Sequence, residues 1–260
     1  MQATMNNMST ARANLIEMFS SIQGEGILVG LRQAFIRFYG CNLSCVYCDS
    51  RNTVYSRPPE FCRVEKKPGW GEFSFINNPV DLDAVNGYLR GLLDSSPKAH
   101  HSLSITGGEP LRQASALKEW LPYLRSLLPI YLETNGVLHF ELSEVVDYLD
   151  YVAMDVKLPS TSGAGELWEE HRKFLQLASK RNLFVKSVVD NNTLVDEIRH
   201  MCEIISSVDR AIPLVLQPVT SKEGHIDINT ATLMELQEAA SDLLEEVRVI
   251  PQTHVFMSLL

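Results

Sequence analysis

From about residue 30 onward, seven short apolar runs alternate with segments of helical periodicity, and that alternation narrows the possible folds more than any other feature. The runs are QAFIRFY (33–39), SLSIT (102–106), IYLET (130–134), YVAMDVK (151–157), LFVKSVV (183–189), PLVLQPV (213–219) and EVRVI (246–250). Between them, DLDAVNGYLRGLL sets Leu82, Val85, Leu89 and Leu92 on one face, and ALKEWLPYLRSLL does the same with Leu117, Trp120, Leu121 and Leu124. NTLVDEIRHMCEIISSV predicts a third helix, with Thr193 as N-cap and Asp196 three residues on. Strands apolar almost throughout, each followed by a helix, imply an α/β fold with a mostly parallel sheet covered by helices on right-handed crossovers.

The polar residues gather just past these runs, in GCNLSC, TGGEP, ETNG, DVKLP, KSVVD, QPVTS and PQTH. In a barrel-like α/β fold that C-terminal edge is where chemistry sits. The segment 51–80 has no sustained periodicity and is rich in Pro, Asn and charge, so it reads as an irregular insertion or lid inside a single domain spanning 1–260. A chain of 260 residues, 45% hydrophobic, can bury the core such a domain needs. The start MQATMNNMST lacks the basic and apolar regions of a secretion signal, and no run of about 18 apolar residues occurs, so a cytoplasmic location is expected. A net charge of −9 argues against a broad nucleic-acid or membrane surface and favours small-molecule chemistry.

Three of the five cysteines, Cys41, Cys45 and Cys48, fall in one loop at spacing C-x3-C-x2-C. An odd count clustered in one loop argues for metal or redox chemistry over a disulfide framework. A closed zinc site takes four ligands. Cys62 lies inside the insertion, and Cys202 lies in an amphipathic helix where it reads as a small buried hydrophobe. A [4Fe–4S] cluster on three thiolates would leave one iron open to a non-protein ligand.

At these residues the chain resembles the radical S-adenosylmethionine (SAM) superfamily, through the cysteine loop with Tyr47 before its last cysteine, and through SITGGEP (104–110). The resemblance implies a partial (β/α) barrel of the radical SAM type, a [4Fe–4S] cluster on the three cysteines, and SAM on the open iron. It implies SAM contacts from Tyr47, Thr106, Gly107, Gly108, Glu109, Thr134, Asn135, Asp155, Lys157 and Gln217, with Glu133 also at the barrel mouth.

Within that superfamily, EMFSSIQGEGILVGLRQAFIRFYGCNLSCVYCDS is similar to the 7-carboxy-7-deazaguanine synthase family, and TGGEP, ETNG, DVKLP, QPV and RVIPQTH extend the likeness over most of the chain outside 51–80. The family's activity would be radical ring contraction of 6-carboxy-5,6,7,8-tetrahydropterin to 7-carboxy-7-deazaguanine with loss of ammonia, in queuosine and deazapurine biosynthesis. A pterin needs paired donors and acceptors and a fixed cation for its carboxylate. Gln23, Gly24, Glu25 and Gly26 form the candidate loop for the first, and Arg37 is the candidate cation. His254 is a further substrate candidate. Mg²⁺ is expected on the hydroxyl of Ser50, where the family more often has threonine, with Asp49 orienting the loop. The expected partners are a flavodoxin- or ferredoxin-like electron donor and a second copy of the chain, with the closing VFMSLL as a candidate interface. Two rivals remain open at this point: a glycyl-radical-enzyme activase, and a non-enzymatic zinc or iron–sulfur interaction module.

Overall fold

The computed structural model describes residues 10–48, 50–54, 57–221 and 223–259. Its strands in chain order are β1 (Arg12–Ala13), β2 (Leu15–Ile22), β3 (Arg32–Phe38), β4 (Phe61–Glu65), β5 (Phe73–Asn77), β6 (Val80–Asp81), β7 (Ser102–Gly107), β8 (Ile130–Thr134), β9 (Tyr151–Asp155), β10 (Asn182–Val189), β11 (Leu214–Pro218) and β12 (Val247–Val249). Ten of them form one sheet in the order β12-β11-β10-β9-β8-β7-β3-β2-β4-β5. From β3 to β12 neighbouring strands are parallel and, apart from β3, follow one another in the chain, as a singly wound (β/α) sheet requires. The seven apolar runs are these seven parallel strands.

Period-two alternation divides them between two environments. Ile36, Phe38, Leu103, Ile105, Ile130, Leu132, Val152, Met154, Val185, Leu214 and Leu216 join one large core with Val85, Leu89, Leu117, Trp120, Leu121, Phe174 and Ile205 of the flanking helices. Tyr131, Ala153, Phe184 and Val215 form a second small cluster on the other face, with Ile27 and Leu28 against it. Those two residues follow β2, which pairs with β3, yet they pack against β10 and β11. The sheet is therefore strongly curved, and the loop after β2 lies across its concave side. It does not close: β12 and β5 end the strand order.

Two expectations need correcting. The segment 51–80 is not irregular throughout: β4 and β5 form an antiparallel hairpin, and β4 pairs parallel with β2, so the hairpin extends the sheet. Of the described residues of 51–80, Val54 lines the cavity described below and none of 57–80 does, so the hairpin itself stands away from it. Phe61 and Phe75 of this hairpin are open to solvent, so its apolar residues do not mark a buried face as they do in a strand covered on both sides. Thr193 also does not cap the third helix. That helix is Val195–Ser206 with Leu194 at the cap, and the Thr193 hydroxyl instead takes the N–H of Asp190. Asp81 does cap the helix Leu82–Ser95, accepting from Ala84 N at 3.1 Å.

Candidate functional site

A cavity of about 240 Å³ opens at the C-terminal ends of the parallel strands. The cysteine loop forms one wall, with Cys41, Tyr47, Cys45, Cys48 and Ser50. Glycines shape the floor beside it. Gly107 has φ +139°, and a Cβ there would stand 2.2 Å from the Phe38 carbonyl oxygen; one on Gly108 would stand 2.3 Å from the Gly40 carbonyl oxygen. Only glycine lets TGGEP lie this close to the strand before the cysteine loop.

The strand ends supply charge. Lys157 pairs with Asp155 at 2.8 Å, Asp155 with Lys186 at 3.4 Å, and Lys186 with Glu25 of the loop after β2. Burial alone would raise the Glu25 pKa, but Lys186, Gln252 and His254 outweigh it and hold the carboxyl at about 2. Burial disfavours the charged forms of both lysines, yet their carboxylate neighbours keep each pKa above the ordinary lysine value. Asp155 and Gln217 line this cavity, and one buried oxygen of each, Asp155 Oδ1 and Gln217 Oε1, has no hydrogen-bond partner among the described residues. An orphaned buried acceptor is costly, so these two mark where a ligand's N–H or O–H groups belong.

On the opposite side, Arg37 of β3 lines the cavity and is held through Nε by Glu17 of β2 at 2.9 Å. Thr106 and Ser104 of β7 donate to Glu133 of β8 at 3.0 and 3.2 Å.

A family model described as a 4Fe-4S single cluster domain matches residues 22–174. The chain is 51% identical to 7-carboxy-7-deazaguanine synthase of Geobacter sulfurreducens over 96% of its own length and 99% of the relative's. It belongs to the 7-carboxy-7-deazaguanine synthase family. A second relative of that name, from Archaeoglobus fulgidus, is 34% identical over 95% of this chain and 98% of its own. In fold the chain is similar to the crystal structure of QueE from Escherichia coli, with a TM-score of 0.53 at 19% identity, covering 94% of this chain and 95% of that one. Family membership sets aside the activase and the scaffold.

The donor set fits the family's cofactors. Three thiols sit on one wall, and the two remaining cysteines are fully buried elsewhere, Cys62 in β4 and Cys202 in the helix Val195–Ser206. A [4Fe–4S] cluster held by Cys41, Cys45 and Cys48 would therefore keep an open iron, and the cavity wall beside these cysteines carries the glycines of TGGEP.

Not every expected residue faces the cavity of this synthase-family chain. Glu109 is fully buried and turned away; it accepts from the Thr134 hydroxyl at 2.9 Å, Asn135 N at 2.8 Å and Leu111 N at 3.1 Å. It holds ETNG against TGGEP, so the side chain expected to touch SAM is instead a clasp between loops. Gln23 is likewise spent internally: Nε2 donates to Gln33 and Glu133, and Oε1 accepts from Glu25 N. His254 packs on Gly24, whose added Cβ would lie 2.4 Å from its Nδ1, so these two meet each other behind the cavity wall. Thr106, Gly107, Gly108, Thr134, Asn135, Asp155, Lys157, Gln217, Glu25, Gly26 and Arg37 do line the cavity. Asp49 lies outside the described residues.

Three residues escaped the sequence reading. Lys186 breaks an apolar run in LFVKSVV, as Arg37 does in QAFIRFY, and that interruption is the signal that could have found it. Gln252, in PQTH, donates to Glu25 at 2.8 Å and lines the cavity. His171 is buried in the helix Trp168–Ala178, a position that reads as ordinary amphipathic spacing.

Proposed function

We propose that this chain converts 6-carboxy-5,6,7,8-tetrahydropterin to 7-carboxy-7-deazaguanine with loss of ammonia, as the name of its relatives suggests. The observation that carries the reading is the meeting, in one cavity, of the three-thiol loop with a buried carboxylate–lysine chain and an arginine on the facing strand. When bound, the cluster and SAM supply a primary carbon radical able to take a hydrogen atom from the pterin ring.

The protein's own part is to bind and orient. Gly107 and Gly108 let backbone groups approach SAM, and Asp155 Oδ1 and Gln217 Oε1 accept its hydrogen bonds. Arg37 takes the pterin carboxylate, for which a guanidinium offers parallel donors. Glu25, ionised between Lys186 and Gln252, accepts from the amidine edge of the pterin, while Gln23 fixes the loop that carries it. Ser50 lines the cavity near the cysteine loop and offers Mg²⁺ a hard oxygen ligand beside the substrate carboxylate. A flavodoxin- or ferredoxin-like protein supplies the electron, and the chain acts as a homodimer. Among the described residues no helix is long and apolar enough to cross a membrane.

The test is anaerobic turnover of the reconstituted protein with SAM, a low-potential reductant, Mg²⁺ and the carboxylated pterin. The deazaguanine product is expected, with deoxyadenosine formation dependent on the pterin. Deoxyadenosine release that ignores the pterin, with no deazaguanine, would refute the assignment. Sedimentation of the holoenzyme tests the dimer.

A further inference from the structure

Three neighbouring strands place three charged residues in one row. Glu17 of β2 stands opposite Arg37 of β3 in the antiparallel register and opposite Arg63 of β4 in the parallel one. Its Oε1 holds Arg37 Nε at 2.9 Å and its Oε2 lies 3.5 Å from Arg63 Nη1. The register of β2 shifts between Leu15 and Glu17, a bulge that brings the carboxylate into line. Arg63 comes from the hairpin within 51–80, and the ring of Phe73 from the same hairpin lies 4.0 Å beneath its guanidinium carbon.

A lone Glu17–Arg37 pair would be neutral, and both oxygens of Glu17 could compete with a ligand for the guanidinium. With Arg63 drawing on the second oxygen, one carboxylate is shared between two cations and the row carries a net positive charge. Glu17 then grips Arg37 by Nε, away from the paired terminal nitrogens through which a guanidinium binds carboxylate bidentately. We propose that Arg63, which does not line the cavity, is a positioning residue that draws on the second oxygen of Glu17 and so leaves the terminal nitrogens of Arg37 available for the substrate carboxylate, so that the β4–β5 hairpin tunes substrate affinity from behind the site. The inference rests on the reading of Arg37 given above.

Arg63 is partly exposed, with 46% of its side-chain surface open, so its effect is screened by salt and modest. The test measures dissociation constants of the anaerobic holoenzyme for the carboxylated tetrahydropterin and for a tetrahydropterin without the carboxylate. In Arg63→Met, which keeps most of the apolar stem, the first should weaken about threefold to fivefold at low salt, while kcat and iron content hold. The second should not move, the difference should shrink at high salt, and Arg63→Lys should restore most of the affinity. An unchanged constant for the carboxylated pterin, or an equal loss for both pterins, overturns the proposal. The two claims fail separately: an unaltered enzyme that makes no deazaguanine refutes the parent assignment and takes this one with it, whereas normal turnover with an unmoved constant in Arg63→Met refutes the role of Arg63 alone.

Discussion

The backbone N–H of Lys157 donates to Nε2 of His171 at 3.2 Å, while Nδ1 of the same ring meets the carbonyl oxygen of Gly136 at 3.0 Å. The neutral imidazole with its proton on Nδ1 satisfies both contacts, so one buried side chain ties the loop after β8 to the loop after β9. Both loops carry cavity residues, Asn135 on one and Lys157 on the other. His171 thus fixes the spacing between two ligand-facing edges without facing the cavity itself.

Burial, only partly offset by the bond to Gly136, lowers the His171 pKa to about 4. In the unfolded chain the ring titrates near about 6.5. As pH falls, the unfolded state therefore takes up its proton first. The stability tied to the neutral ring is intact above about 6.5 and is lost progressively down to about 4, up to about 3 kcal/mol in all. Urea unfolding of the anaerobic protein at about pH 7.5 and about pH 5 should show this slope, and His171→Gln, less stable at the higher pH, should have a shallower one.

The clasp formed by Glu109 gives a second prediction. Burial raises its pKa to about 7, although the amides of Asn135 and Leu111 and the Thr134 hydroxyl all donate to it. Glu109→Gln keeps the size but points an amide NH₂ at groups that are themselves donors. One unsatisfied buried group costs about 1–3 kcal/mol. The variant should assemble its cluster, measured by iron content, yet lose most SAM cleavage, measured as deoxyadenosine, because TGGEP and ETNG no longer hold their relative position.

Glu109 and His171 also mark the boundary of what the chain reveals before folding. Strands such as IYLET and LFVKSVV were legible because burial on both faces leaves an almost unbroken apolar run, and their polar ends locate the cavity rim. The cysteine loop and TGGEP were legible as local spacing. Which way Glu109 turns was not, because the three groups it satisfies lie in two loops that only the strand pairing brings together. Lys186 went unread because its partner Glu25 is 161 positions away. The β4–β5 hairpin was hidden for the opposite reason: Cys62, Val64 and Ile76 face the core, but Phe61 and Phe75 beside them are exposed, so hydrophobicity does not alternate with burial along either strand.

Lys186 carries the third prediction. Its ammonium sits between Glu25 and Asp155, largely buried, with the carboxylates themselves 19% and 15% exposed at the side chain. Removing one member of a buried charge network leaves the others uncompensated, which costs about 3–5 kcal/mol. Lys186→Met should lower the unfolding free energy by an amount of that order, and the Glu25 pKa should rise from about 2 towards or above the ordinary carboxylate range. The sign with pH follows. A depressed carboxylate pKa contributes stability above its unfolded value that is lost as pH falls towards about 2. The variant should therefore lose less on acidification than the parent, which denaturation midpoints across the acid range will read.

The five cysteines divide into two groups whose replacement should have opposite consequences. Cys41, Cys45 and Cys48 line the cavity, and the N–H of Leu43 and the amide of Asn135 already approach Cys41 Sγ at 3.4 and 3.8 Å, the contacts expected around a sulfur that carries negative charge. Cys62 and Cys202 have no exposed surface, and burial pushes each thiol up to about 12, so both remain protonated and inert in apolar surroundings. Alanine at Cys41, Cys45 or Cys48 should strip the anaerobically purified protein of most of its iron and of all SAM cleavage. Alanine at Cys62 or Cys202 removes only a sulfur from a packed core, at about 1 kcal/mol, and should leave iron content, deoxyadenosine formation and colour unchanged. Iron loss in either of the latter, at a protein concentration where the fold persists by circular dichroism, would mean that a fourth thiolate reaches the cluster, and the iron assigned to SAM would not be open.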